Sequence, residues 1–166
     1  MVKSGLLWSL GELILALFRG ITAISLDAKG RFAIPAKYRD DITSQCAGRL
    51  VITVDVDNCL LMYPFPEWER IEADLLGLPS IKKQVRRLQR LYLGHASPCE
   101  LDSQFRLLLP PELRAFAQLE KQVFLVGQGK KFEIWNEQAW LSKREDWINE
   151  ESGLNDEDSS IDSLSI

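Results

Sequence analysis

The chain has 166 residues, 46% of them hydrophobic and 27% charged, which excludes general disorder and suits one compact domain or two small halves sharing a core. Its net charge of −4 argues at first against a nucleic-acid partner. The acids are unevenly placed, however: six lie from Glu150 onward with no Lys or Arg, and taking six from 24 leaves 18 against 20 basic residues, a body of about +2.

In chain order, residues 1–17 read as an N-terminal extension. "MVKSGLLWSLGELILALFRG" superficially resembles a secretory signal, but Glu12 interrupts the apolar run, no A-x-A-like site follows, and the run is too short to span a bilayer. "ITAISLD" then predicts a strand, with Ile21 and Ala23 on one face and Thr22, Ile24 and Leu26 on the other. "DAKGR" predicts a turn in which Gly30 takes a positive φ, "RFAI" a second strand closing a hairpin, and Pro35 the first position of a short helix, "PAKYRDDI". "RLVITVDVDNCLLMYP" predicts a hairpin turning at Asp57-Asn58, and Trp68 opens the helix "EWERIEADL". In "SIKKQVRRLQRLYL", Ile81, Val85, Leu88 and Leu91 or Tyr92 share one helical face, with Lys82, Lys83, Arg86, Arg87 and Arg90 over much of the rest.

The pattern then recurs. Asp102, Arg106, Pro110 and Arg114 follow Asp27, Arg31, Pro35 and Arg39 at one separation of 75 positions. "DSQFRLLLPPELRAFA" repeats the turn, strand and helix, and "KQVFLVGQGKKFEIWN" repeats the hairpin, with Gly127 and Gly129 at its turn. Trp140 follows Trp68 by 72, so three residues are missing from the second copy, expected in the helix-to-strand connection where length change costs least. A repeat of this kind signals a unit that needs its copy to bury an apolar face. The tail from Glu150 is polar, acidic and expected to be disordered.

No motif of a nucleotide-binding loop, zinc protease or serine hydrolase is present. Asp55 and Asp57 lack a neighbouring His or nucleophile, so no catalytic residue is assigned. Cys46, Cys59 and Cys99 have no C-x-x-C spacing and only His95 for company, so no metal or cofactor site is assigned; the cysteines read as small hydrophobes in a reducing cytosol and His95 as structural.

The repeated Asp-x-x-x-Arg frame carries the functional reading. Alone, the Asp27–Arg31 pair is a surface clip; its repetition around Asp102 and Arg106 assigns the spacing a structural role. The copies differ in that the first turn has Lys29 and Gly30, whereas the second has no lysine and Phe105 in place of the glycine. A cationic, glycine-containing β-ribbon can approach phosphates closely and enter a major groove, so if one copy is a reader it is the first, with Lys29 close to Arg31 and Arg39 further along. Asp27, Asp102 and Arg106 are assigned to holding the turns. The basic helix is a rival surface, its charges otherwise reading as a solvated face.

"FRG" at 18–20, "DAKGRFAIPAKYR", "LLMYPFPEWE", "RRLQRLYLGHASPCELDSQFRLLLPPELR" and "VFLVGQGKKFEIW" together resemble the MraZ family over residues 18–149. The resemblance implies a mainly β fold with flanking α-helices, two tandem SpoVT-AbrB units forming an interwoven, double-split β-barrel. The units then span 18–76 and 96–149, separated by a basic linker helix at 77–95 and followed by an acidic tail at 150–166; Leu17 becomes an alternative initiator, with 1–16 an extension. It implies a ring-shaped homo-oligomer that binds short direct repeats in double-stranded promoter DNA. The expected role is repression of its own promoter and of the division and cell-wall gene cluster, at the nucleoid in the cytoplasm, with no membrane partner. The first Asp-x-x-x-Arg, centred on Lys29 and Arg31, becomes the contact, which makes Lys29, Gly30, Arg31 and Arg39 the expected DNA-binding residues. Two alternatives stay open, an antitoxin-like module that clamps a protein through the acidic tail, and a structural ring protein of division.

Overall fold

A computed structural model describes residues 17–153 and Leu164. In chain order its elements are β1 (Ile21–Ser25), β2 (Arg31–Ala33), α1 (Ala36–Cys46), β3 (Arg49–Val54), β4 (Leu60–Pro64), α2 (Phe65–Leu76), α3 (Lys83–Tyr92), β5 (Ser97–Glu100), β6 (Arg106–Leu108), α4 (Pro111–Phe116), β7 (Gln122–Gly127), β8 (Phe132–Asn136) and α5 (Glu137–Ser152). The fold is β-centred with flanking helices, and the repeat read in the sequence is a repeat of elements. The predicted extension and most of the predicted tail lie outside the described residues. α5 continues to Ser152, so the first three residues assigned to that tail are helical.

The strands form a six-stranded antiparallel sheet, ordered β1-β7-β8-β4-β3-β5, and a separate two-stranded ribbon, β2-β6. Only the β3–β4 and β7–β8 ladders join strands of the same half; β1–β7, β4–β8, β3–β5 and β2–β6 all cross between halves. The predicted hairpin of β1 with β2 is therefore corrected: the chain turns at Asp27, but each strand finds its partner in the other half. The reason is burial. A three-residue strand such as β2 gains little from its own neighbour, and across the halves Phe32 faces Leu107, both inside the core. β1 and β5 are the end strands of the sheet among the described residues, and the described ladders do not close into a barrel.

The sheet is buried on both faces, which explains why its central strands read as continuous apolar runs rather than alternating ones. Leu50, Ile52, Leu60, Met62, Leu125, Phe132 and Ile134 point into one core with Phe32, Ile34, Leu107 and Leu109 of the ribbon arms and Ile42 and Leu113 of α1 and α4. Val51, Leu61, Tyr63, Val126 and Trp135 point the other way, against Trp68 of α2 and Trp140 and Trp147 of α5, with Tyr92 of α3. Buried Thr53 donates its hydroxyl to the Tyr92 carbonyl at 2.7 Å, fastening α3 to that outer face.

The missing three residues are divided between two places. α4 begins 75 positions after α1, β7 begins 73 after β3, and β8 begins 72 after β4. Two residues are thus lost across the helix and its exit, and one from the hairpin turn. Pro35 and Pro110 each stand one place before the expected position, capping their helices with extended backbone. Gly127 ends β7 rather than forming the turn; a Cβ there would meet the backbone of Arg19 at 2.4 Å, where Phe18 bridges Gly129. α3 starts at Lys83, after a turn closed by Lys82 N–H donating to the Pro79 carbonyl. Ile81, expected on its buried face, is therefore 86% exposed, while Val85 is buried as expected.

Candidate nucleic-acid interface

Each Asp-x-x-x-Arg motif closes a turn by the same bonds. In the first, the Asp27 N–H donates to the Arg31 carbonyl at 2.8 Å and the Gly30 N–H to the Asp27 carbonyl at 3.0 Å. Asp27 Oδ1 accepts the backbone N–H groups of Lys29 and Arg31, both at 2.9 Å, and Oδ2 accepts Arg31 Nε–H at 2.8 Å. In the second, Asp102 Oδ1 accepts from the N–H groups of Gln104 at 2.8 Å and Arg106 at 2.9 Å, and Oδ2 from Arg106 Nε–H at 2.8 Å. These bonds favour the ionised carboxylates. The Arg31 backbone N–H foremost, aided by the Arg31 side chain and the Lys29 N–H, lowers the Asp27 pKa to about 2. The Arg106 backbone N–H likewise lowers that of Asp102.

The clip has a consequence for the arginines. It engages Nε alone, so the terminal Nη1 and Nη2 groups of Arg31 and Arg106 have no hydrogen-bond partner among the described residues. A guanidinium oriented through Nε still presents its remaining N–H donors to a phosphate or a base edge.

The ribbon decides where they point. Arg31 faces Leu108 and Ala33 faces Arg106, with the buried pair Phe32 and Leu107 between them. Alternation therefore sends Arg31, Ala33, Arg106 and Leu108 to one outward face, on which Ala33 and Leu108 are exposed. The two arginines stand diagonally on it, about 7–8 Å apart at the backbone. Lys29 is exposed in the first turn. Sequence reasoning assigned Arg106 to structure alone; it makes the expected clip and also occupies the same face as Arg31.

Arg39 and Arg114 serve the turns crosswise. Arg39 Nε–H donates to the Ile34 carbonyl at 2.9 Å and Arg114 Nε–H to the Leu109 carbonyl at 3.1 Å. The Arg39 guanidinium then lies over the Phe105 ring at 5.0 Å, in the turn of the other half. Arg114 lies against Gly30, where a Cβ would come within 2.5 Å of its Cζ. The half-buried Arg39 thus touches the second turn through Phe105 while its Nε–H holds the Ile34 carbonyl. Sequence reasoning gave Arg114 no role beyond its place in the repeat frame, which was the available signal for this contact.

The rival basic surface is on the other side of the sheet. Lys82, Lys83, Arg87 and Arg90 are exposed, while Arg86 Nη1 donates to the Ser80 and Ile81 carbonyls at 3.1 and 2.7 Å. α3 packs on the outer face and the ribbon covers the inner one, so one straight duplex cannot meet both on a single chain.

Asp55, Cys59 and Glu133 have ligand atoms within 4.8 Å of one another. Their donors are already engaged: Asp55 accepts from Tyr92 Oη–H at 3.3 Å and from the Asp57 N–H at 3.2 Å, and Glu133 from Trp135 Nε1–H at 3.0 Å. Burial, foremost, raises the pKa of both the Cys59 thiol and the Glu133 carboxyl, opposing the charged forms a metal needs. All three cysteines are free thiols. No described helix is long and apolar enough to cross a membrane.

Comparison with known proteins identifies the family. The sequence profile of the family described as "MraZ protein, putative antitoxin-like" matches twice, over residues 17–91 and 92–162. The protein named Transcriptional regulator MraZ of Thioalkalivibrio sulfidiphilus is 55% identical over 150 residues, covering 90% of this chain and all of that one. Proteins of the same name from Methylococcus capsulatus (54% identical, 84% of this chain and 93% of the relative) and Pseudomonas aeruginosa (53%, 85% and 96%) are similar over nearly their whole lengths. With two family matches that together span both halves, the chain belongs to the MraZ family.

Proposed function

We propose that this chain is a sequence-specific, non-catalytic DNA-binding transcriptional regulator that contacts duplex DNA with the outward face of the β2–β6 ribbon. The observation that carries the reading is the Asp27 clip, which orients Arg31 through Nε and leaves its terminal donors free beside exposed Lys29. A two-stranded ribbon fits a major groove, and an arginine fork matches two guanine acceptors or one phosphate. Arg31 is the leading reader, Lys29 a phosphate contact, and Gly30 the residue that keeps the turn low. Asp27, Asp102 and Arg106 hold the frame, and Arg39 acts through the second turn.

The finer expectations belong to the same proposal. The turns after β1 and β5 complete an interwoven barrel around the ribbon, built from units at 18–76 and 96–149. Copies assemble in a ring, so that several ribbons meet short direct repeats and later contacts become intramolecular. The regulator acts at the nucleoid, repressing its own promoter and the division and cell-wall gene cluster. What supports these points is the resemblance of the repeated motifs and the naming of the relatives as transcriptional regulators.

The test is a salt titration of binding to the chain's own upstream promoter and to a scrambled duplex, for wild type and Arg31→Ala. Promoter-selective binding that falls steeply with salt and is lost in the variant is expected. Equal, weak binding to both duplexes by wild type would sink the reading and redirect attention to a protein partner of the acidic tail.

A further inference from the structure

The basic face of α3 has no role in the proposed contact, because the ribbon lies across the sheet from it. Five cations fall within the nine positions from Lys82 to Arg90, and four of them are exposed. None joins an ion pair among the described residues, where the pairs are Asp27–Arg31, Arg70 with Glu67 and Asp74, and Asp102–Arg106. Arg86 reaches only carbonyl oxygens, those of Ser80 and Ile81. On the adjoining α2, Glu72 accepts from the Trp68 indole, and Glu67 and Asp74 pair with Arg70. A cationic helix face without counter-charges in the fold attracts an anion from elsewhere.

The same chain carries a matching anionic segment. Beyond Gly153 come Asp156, Glu157, Asp158 and Asp162 with no Lys or Arg, after Glu150 and Glu151 at the end of α5. The helix that precedes this segment lies on the side of the sheet that carries α3: α5 packs on β7 and β8, and α3 on β3. From β8 to β3 is two strand steps, about 10 Å. Extended chain from Gly153 reaches about 10 Å at Asp156 and about 30 Å at Asp162, which bounds how far from the end of α5 the segment can dock.

From this placement we infer that the acidic segment at 156–162 docks on the Lys82, Lys83, Arg87 and Arg90 face of α3 in the same chain, and that this contact restrains non-specific binding of DNA phosphates there. The contact is electrostatic, so exposed Leu164 takes no part in it. Covalent connection holds the segment at a high effective concentration, which lets a few screened charges compete with an external polyanion. DNA held specifically by the ribbon is unaffected, whereas DNA that would adhere to α3 must first displace the tail. The restraint rests on the DNA-binding reading; the docking does not.

Zero-length carbodiimide crosslinking of the full chain, mapped by mass spectrometry, tests the docking without DNA. Rings assembled from a mixture of light and 15N-labelled chains separate contacts within a chain from those between chains. Crosslinks from Lys82 or Lys83 to Asp156, Glu157 or Asp158 are expected within one chain. They should vanish at about 1 M salt, where the screening length is about 3 Å, and in the double variant Arg87→Glu with Arg90→Glu. Their absence at low salt, their persistence in that variant, or their occurrence only between chains would overturn the docking. The full-length variant Asp156→Asn, Glu157→Gln, Asp158→Asn, Asp162→Asn should bind scrambled duplex about tenfold more tightly than wild type, as expected for freeing a few phosphate-binding cations. That gain should disappear when Arg87 and Arg90 are also reversed. Crosslinks without the gain, or a gain that survives the reversal, would overturn the restraint.

Discussion

The two turns of this protein make the same hydrogen bonds around different residues. Both aspartates accept two backbone N–H groups and one arginine Nε–H at distances that agree within 0.1 Å. Yet the residue before the arginine is Gly30 at φ 85° in one and Phe105 at φ 57° in the other. The left-handed region is open to glycine and costly for a bulky side chain. The carboxylate frame is therefore strong enough to impose that backbone whatever the residue. What changes is the surroundings: Phe105 packs its ring beneath Arg39 and against the core, whereas Gly30 lets Arg114 approach the backbone. One turn is filled by its own side chain and the other by a side chain from the opposite half. Only the latter keeps a low profile beside Lys29.

The sharpest way to break this comparison is to remove the two arginines in turn. Arg31→Ala should abolish promoter selectivity, because each bidentate bond to a base discriminates by about 1–3 kcal/mol and the proposed ring would multiply that figure. The mass measured by light scattering should stay that of wild type. Next, Gly30→Ala should destabilise the fold by about 1–2 kcal/mol, the cost of holding a Cβ in the left-handed region, read as a lowered denaturant midpoint. Because the overlap with Arg114 involves a flexible side chain, adding Arg114→Ala should recover little of that loss. Full recovery would mean that crowding, not φ, makes the glycine necessary.

The carboxylates give a pH test with a definite sign. The Asp27 pKa falls from 3.8 to about 2 in the folded chain, so the unfolded chain binds the proton more readily and acid favours unfolding. The stability contributed by this clip is fully present above pH 3.8 and is lost as pH falls through 2. Thermal midpoints of Asp27→Asn should therefore converge on wild type over that window and differ by a constant amount above it. An unchanged difference across the window would show that the charge does not matter to the turn. The smallest effect is expected for Arg106→Ala, less than about threefold in promoter affinity if its work is confined to the clip and the contact is screened. Since Arg106 shares the ribbon face, a loss as large as that of Arg31→Ala, with the fold intact, would make both copies readers.

Much of this was legible in the sequence because the interactions are short-range. The Asp27 and Asp102 turns close within five residues, so a spacing is enough to announce them. The indoles of Trp68 and Trp140, paired by the repeat, both proved to be buried in the first turns of their helices. Other features failed for identifiable reasons. Ile81 fits the helical period of its neighbours, but the turn at Pro79 delays α3 until Lys83 and strands it outside. The three missing residues look like one deletion in an ungapped comparison, since nothing local distinguishes a shorter helix exit from a shorter hairpin.

By itself the amino-acid order determined the two copies, their clipped turns, the doubly apolar central strands and the cationic helix. Each follows from bonds or periodicities that close within a few residues. Tertiary structure alone decided which strands pair, for β1, β2, β4 and β3 all take partners from the other half. That exchange brings Arg31 and Arg106 onto one face, carries Arg39 and Arg114 to each other's turns, and puts α3 on the far side of the sheet. The physical reason is that neither half can cover both faces of its own hairpin. The apolar surface left over is buried only by its copy, about 75 positions away, and no local pattern records that choice.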